Sequence, residues 1–151
     1  MDTGRTTIIL NLISYDLARR VIDAGIAEAD RRGVKLSFAI VDAAGHLVAA
    51  ARMDGVPFIT TEVARGKAFA CASTGGQPGR DLAERFRENP MVWGSAGPLG
   101  YGSQLFPAAG SFPIRLDGRL IGAIGASGAP SEIDEAVIAI AIAAIGADPV
   151  A

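Results

Sequence analysis

Across residues 14–32 the apolar positions Leu17, Val21, Ile22, Ile26 and Ala29 recur at the spacing of a helix with one buried face. Ser14 offers an N-cap and Gly33 a stop, so this first helix is bounded at both ends. The period then changes. Residues 36–42 are rich in β-branched and aromatic side chains, Ala43-Ala44-Gly45 reads as a tight turn, and residues 46–53 form the return strand. Both faces of this hairpin are largely apolar, which predicts a place in the middle of a covered sheet.

Thr60 or Thr61 is positioned to cap a second helix that runs to about Ala72, and Gly66, Ala68, Ala70 and Ala72 keep one of its sides thin. Residues 74–80 read as a loop and residues 81–88 as a short helix that Asn89-Pro90 ends. Residues 91–110 form a long stretch rich in Gly and Pro that carries Trp93, Tyr101 and Phe106; loops of that length usually serve function or an interface. A second hairpin covers residues 112–116 and 119–126, joined by Asp117-Gly118, whose residues suit a type I′ turn. Ser131 and the acid three residues later, Asp134, make a capping box for a last helix. Helices at both ends with hairpins between them describe an α+β fold with an antiparallel sheet, and residues 1–151 suit one domain.

Charge and composition narrow the partners. Fourteen Lys and Arg against sixteen Asp and Glu leave no basic run to follow a phosphate backbone, so nucleic acid is not an expected partner. The single cysteine, Cys71, rules out an intramolecular disulfide and fits a reducing compartment. The apolar run at residues 8–10 is too short for a signal peptide, and residues 136–147 fall short of the ~20 needed to span a bilayer. A cytoplasmic protein without membrane contact is the expectation. Abundant alanine, together with 19 glycines, favours close packing of helices and subunits, so self-association is expected as well.

The glycine clusters do not spell a nucleotide site. Gly122, Gly125 and Gly128 have the wrong spacing, residues 76–80 lack the lysine of a P-loop, and Leu105 stands where Gly100-Tyr101-Gly102 would need a third glycine. His46 is the only histidine, which excludes a two-histidine metal site; it reads either as a solvated turn residue or as a haem ligand or general base. Met53, Met91, Cys71, Tyr15 and Tyr101 are the other side chains able to ligate a haem iron. Strand alternation puts Arg52 and Asp54 on one face at a strand end. They read equally well as a surface ion pair and as a guanidinium fork held ready for a carboxylate. Lys67, with Glu62 and Arg65 nearby, either solvates an exposed helix face or reaches inward among its small neighbours. The glycines of residues 121–128 mark either a ligand or a helix approaching the strand closely.

The segments VDAAGHLVAAARMDG, ARGKAFA, FPIRLDGRLIGAIGASG and DEAVIAIAIAA, in that order, resemble the GlcG/HbpS family, also called the haem-degrading or DUF336 domain, which includes the C-terminal domain of PduO-type proteins. The resemblance covers essentially the whole chain. It implies a profilin-like α-β-α domain with a central antiparallel sheet flanked by helices, and a homo-oligomer, a tetramer or octamer. It implies haem or a related tetrapyrrole as ligand, with no other cofactor. Carried over residue by residue, the family pattern points to Arg52, Met53, Asp54, Lys67, Gly110, Pro113 and Ser127. Here the family's usual Gly-Gly before a small residue and Pro appears as Gly110-Ser111-Phe112-Pro113, with a bulky Phe112 beside the turn. From these residues we expect a ligand pocket with Arg52 and Asp54 at its rim, bounded by Lys67 and by Gly110, Ser111, Phe112 and Pro113.

Two functions follow as expectations. The first is a small-ligand-binding protein with Arg52 or Lys67 placed for propionates. The second is a cofactor-independent isomerase, lyase or hydratase of a small oxo- or hydroxy-acid, in which Arg52 holds the carboxylate and Lys67, Asp54 or His46 moves a proton. No metal site is expected beyond a haem iron.

Overall fold

The computed structural model describes residues 6–99 and 104–150. Helix α1, Tyr15–Arg32, starts where the pattern predicts: the Ser14 side chain accepts from the Leu17 N–H at 3.1 Å, and Gly33 closes the helix at φ 70°. Strands β1, Ser37–Asp42, and β2, Leu47–Arg52, follow, then helix α2, Ile59–Ser73, α3, Gly79–Glu88, and α4, Pro90–Ala96. Strands β3, Ser111–Leu116, and β4, Arg119–Ser127, precede the last helix α5, Ser131–Ala144. The β3–β4 turn has both Asp117 and Gly118 at positive φ, and their N–H groups both donate to the Asp148 carboxylate.

The four strands form one antiparallel sheet in the order β2-β1-β4-β3. Helices α1 and α5 cover one face and α2 covers the other, giving an α-β-α, α+β architecture. Phe38, Ile40, Ile114, Ile124, Val137 and Ile138 fill the main core under α1 and α5. Val41, Ala68, Cys71, Ala72 and Ala123 form a thinner seam under α2.

Four local expectations are corrected. Strand β1 is central and fully buried, but β2 is an edge strand with Leu47, Ala50 and Arg52 exposed, because it pairs with β1 alone and its other side has no neighbouring strand. Neither Thr60 nor Thr61 caps α2; the helix begins at Ile59, and the Thr60 hydroxyl donates back to the Pro57 carbonyl while also meeting the Ser37 hydroxyl. Ser131 lies inside the first turn of α5, after Pro130, and makes no cap bond; the Asp134 carboxylate alone reaches back, accepting from the Ala129 N–H. Finally, Asn89-Pro90 ends α3 and also starts α4, because a proline in the first turn of a helix lacks only an N–H that has no helical partner there.

The glycines of β4 resolve in favour of packing. A Cβ on Gly125 would overlap the Ala64 carbonyl oxygen and stand 2.9 Å from the Ala68 nitrogen, so the backbone of α2 lies directly on the strand. Gly125→Ala is therefore expected to destabilise the fold by about 3 kcal/mol or more, the upper end of overpacking costs. Gly94→Ala, at a position with open space around it, is expected to change stability by less than about 1 kcal/mol. Denaturant unfolding of the two variants beside the parent chain checks this.

Candidate ligand site

The sheet register gathers most of the predicted site residues at one end of the sheet. Arg52 of β2 pairs across from Ser37 of β1, and Ser127 of β4 pairs with Ser37 on its other side. Ser111 opens β3 at the same end, opposite Gly125. Arg52 and Asp54 are both exposed, and no hydrogen bond or ion pair joins them among the described residues. Met53, between them, turns into the core, where its sulfur accepts from the Leu36 N–H at 3.4 Å. Phe112 and Pro113 are buried, and the Arg80 guanidinium lies 5.4 Å from the centroid of the Phe112 ring.

Lys67 takes the inward course. Only 5 % exposed, it leaves α2 beside β4, donates to the Ala126 carbonyl at 3.0 Å and pairs with the Asp134 carboxylate at 3.5 Å. A Cβ on Gly110 would come within 2.7 Å of its nitrogen, so the turn before β3 closes over the ammonium. Burial lowers the Lys67 pKa, opposed by the charge of Asp134. Burial likewise raises Asp134 to about 6, opposed by Lys67 and by the Ala129 N–H. Desolvation outweighs attraction for both partners, the mark of a buried pair that ties elements together at a cost. Ser111 Oγ and Glu135 Oε1 are buried nearby in sequence without a hydrogen-bond partner among the described residues.

The more open chemistry lies around His46. Asp42, the last residue of β1, accepts from the N–H groups of Ala44 and His46 at 2.9 and 3.1 Å and so fixes the turn. Gly45 sits at φ 90°, and a Cβ there would come within 2.9 Å of the Phe69 ring; only glycine lets this turn rest on α2. The His46 side chain is 81 % exposed, its Nδ1 3.8 Å from Asp42 Oδ1. It borders a cavity of about 540 Å³ whose walls include Phe69, Ala72, Trp93, Leu99 and Leu105. Trp93 is held by the Phe86 ring at 5.5 Å and by the Arg85 guanidinium at 4.9 Å from its own centroid. Arg52, Asp54 and Lys67 do not line this cavity.

The other iron-ligand candidates are less well placed. Cys71 is fully buried with its thiol pushed up to about 12, so it offers no thiolate. Tyr15 opens α1 in the opposite layer, Met91 projects from α4 at 82 % exposure, and Tyr101 lies outside the described residues. Phe69, Leu99 and Leu105 escaped the sequence reading; the length and aromatic content of residues 91–110 were the only signal for that wall, and they named Trp93.

The Lys67–Asp134 pair gives a measurable signature. Lys67→Met and Asp134→Leu are each expected to cost about 3 kcal/mol, since each strands one buried charge, while the double variant recovers at least half of their summed loss. The folded chain holds the Asp134 proton to about pH 6, whereas the unfolded chain releases it near 4. The stability this group contributes is therefore complete below about pH 4 and lost as pH rises through about 6, a slope that Asp134→Asn should abolish. Urea midpoints across that range, for the parent chain and Asp134→Asn, check the sign.

Comparison with known proteins bears on what such a chain is. A family model described as haem degrading protein HbpS-like matches residues 13–143. Protein GlcG of Escherichia coli K12 is 32 % identical over 116 residues, which cover 77 % of this chain and 81 % of GlcG. A double mutant of Streptomyces reticuli HbpS superposes with a TM-score of 0.79 at 28 % identity, covering 92 % of this chain and 90 % of the other. A structure described as a PduOC:Heme complex gives 0.77 at 25 % identity, covering 91 % of this chain and 98 % of that one. With the family model spanning nearly the whole described sheet and its helices, the chain belongs to the HbpS-like family.

Proposed function

We propose that the protein binds a small planar ligand, haem or a related tetrapyrrole, in the cavity between the β1–β2 turn, the end of α2 and α4. The observation that carries this reading is an accessible imidazole, His46, bordering an apolar and aromatic cavity of about 540 Å³. Such a volume lies within the usual ~300–1,000 Å³ of small-molecule sites. A haem held there draws on imidazole ligation of its iron. Phe69, Leu99, Leu105 and Trp93 offer apolar surface to the ring, and Arg85, stacked on Trp93, is a cation at that wall for a propionate. A relative known as a haem complex, and a family described by haem, support the same ligand.

A homo-oligomer belongs to this reading. Ile8, Ile9, Phe58 and Met91 are each more than three-quarters exposed, and self-association would cover such side chains. Leu99, also largely exposed, lines the haem cavity itself.

The oxo- or hydroxy-acid reading has one observation in its favour, the lowered pKa of Lys67, which suits proton transfer. Substrate would have to reach a side chain closed over by Gly110 and engaged by Ala126 and Asp134. Ligand binding needs no such opening.

Titration with haemin, followed at the Soret band, tests the proposal. A saturable shift is expected for the parent chain and for Tyr15→Phe, with affinity falling at least tenfold in His46→Ala. No shift in the parent chain, or equal affinity in His46→Ala, would overturn it.

A further inference from the structure

The two outer edges of the sheet are finished differently. On β3, Gly110 accepts from the Ala126 N–H, and in the same register Phe112 and Ile114 turn their main-chain groups toward β4. Alternation points the groups of Ser111 and Pro113 outward, where Pro113 has no N–H to offer. Further along, the Asp148 N–H donates to the Arg115 carbonyl, and the Arg115 guanidinium donates to the Gly75 carbonyl. A proline and two neighbouring segments thus guard this edge.

The β2 edge has no such guard. Met53 donates its N–H to the Leu36 carbonyl at 3.1 Å, which makes Leu36–Met53, Phe38–Ala51 and Ile40–Ala49 the hydrogen-bonded pairs of the β1–β2 ladder. The main-chain groups of Ala50 and Arg52 therefore face away from β1. Both residues are exposed, and no main-chain hydrogen bond reaches either of them from another segment among the described residues. Strand β2 contains neither proline nor lysine, and the side chains of Ala49, Ala50 and Ala51 are too small to screen the backbone. An open edge of this kind is a template for a further strand.

We propose that β2 is the contact between two copies of this chain, paired antiparallel about a twofold axis at Ala51 so that the two sheets run on as one. This is the surface behind the proposed self-association, and it rests on that reading. The edge is self-complementary about Ala51, because its two outward residues, Ala50 and Arg52, flank that position. Upstream, Val48 is the extra residue where the register shifts, so regular pairing begins at Ala49. With the axis at Ala51, Ala50 of each copy stands opposite the partner's Arg52, and the two exchange both main-chain hydrogen bonds. Ala51 meets its own counterpart in the closely spaced kind of pair, which a small side chain suits, and no like charges stand directly opposite each other. Bare apolar surface lies at the same end of the sheet: Thr60 meets Ser37, the sheet partner of Arg52, and Phe58 and Ile59 just before it are 77 % and 56 % exposed.

Sedimentation velocity of the full-length protein reads the assembly, and disulfide trapping reads the register. The parent chain is expected to sediment as a dimer or an even multiple of one. Ala50→Pro is expected to give a smaller species with an unchanged far-UV spectrum, because the N–H it removes serves no bond within one copy. Ala50→Lys, opposite the partner's Arg52, is expected to raise the dissociation constant about threefold and Ala50→Glu to lower it about threefold, the scale of one cross-strand charge pair. These opposite signs test the surface even if Ala50→Pro fails to fold. Oxidation of Ala51→Cys is expected to give a covalent dimer, since the Cα atoms of such a pair lie about 4.5 Å apart, within disulfide reach. Ala50→Cys, whose counterpart lies two residues along, and the parent chain, with Cys71 buried, are expected to give none. An assembly whose mass and affinity ignore every Ala50 substitution would overturn this surface and leave self-association standing, whereas a monomeric parent would overturn both. Shifts of the same sign in Ala50→Glu and Ala50→Lys, or no trapping at Ala51→Cys, would overturn the twofold pairing.

Discussion

At Gly125, helix α2 and strand β4 meet backbone to backbone, with only small side chains along the rest of their contact. Gly125 faces the Ala64 carbonyl and the Ala68 nitrogen, and the rest of the seam is Ala72, Cys71, Val41 and Ala123. This contact leaves no room for a ligand between α2 and the sheet. It also makes the helix thin, so that groups on its outer side and at its ends approach the sheet turns closely. The Gly45 turn rests on Phe69 near one end of α2, and the residue 104–106 strap rests on Gly66 on the outer side. The His46 cavity lies against the first of these contacts, outside the seam.

At its other flank the same helix sends Lys67 past the end of the sheet. The ammonium meets the Ala126 carbonyl near the end of β4 and Asp134 in the first turn of α5, an element of the opposite layer. A lysine suits this path because its four-carbon stem follows the apolar seam before the charge emerges. Asp134 serves two elements at once: one oxygen takes the Ala129 N–H ahead of α5, and the other faces Lys67. Replacing the pair by apolar groups would keep the packing and lose this fixed registration between the layers, which is the use buried ion pairs are best known for.

Local signals were legible where one residue decides the structure. Ser14 and Gly33 bound α1, and Asp117-Gly118 turns β3 into β4, because caps and tight turns depend on neighbouring backbone alone. The edge position of β2 was not legible, since a run of alanines looks equally apolar in a central and a peripheral strand. Ser131 and Thr60 illustrate a finer limit: a helix that starts one or two residues earlier turns a cap into an interior hydroxyl. The family resemblance led to the right fold and to the residues at one end of the sheet. Whether these residues face an opening depends on register and on how deeply Lys67 is buried, and neither is written in spacing. Arg65 and Lys67, two positions apart on α2, are set on opposite sides of the helix by its period; what spacing does not tell is that Lys67 is the one buried against Asp134.

Close packing at Gly125 leaves no space between α2 and the sheet, so the proposed tetrapyrrole belongs in the His46 cavity, away from the Arg52 and Lys67 end of the sheet. Anomalous diffraction at the iron edge from crystals of the haemin complex tests it most directly. The account predicts an iron peak beside the His46 imidazole, between the Gly45 turn and Trp93. An iron peak at the end of the sheet where Arg52, Ser127 and Lys67 gather would contradict it.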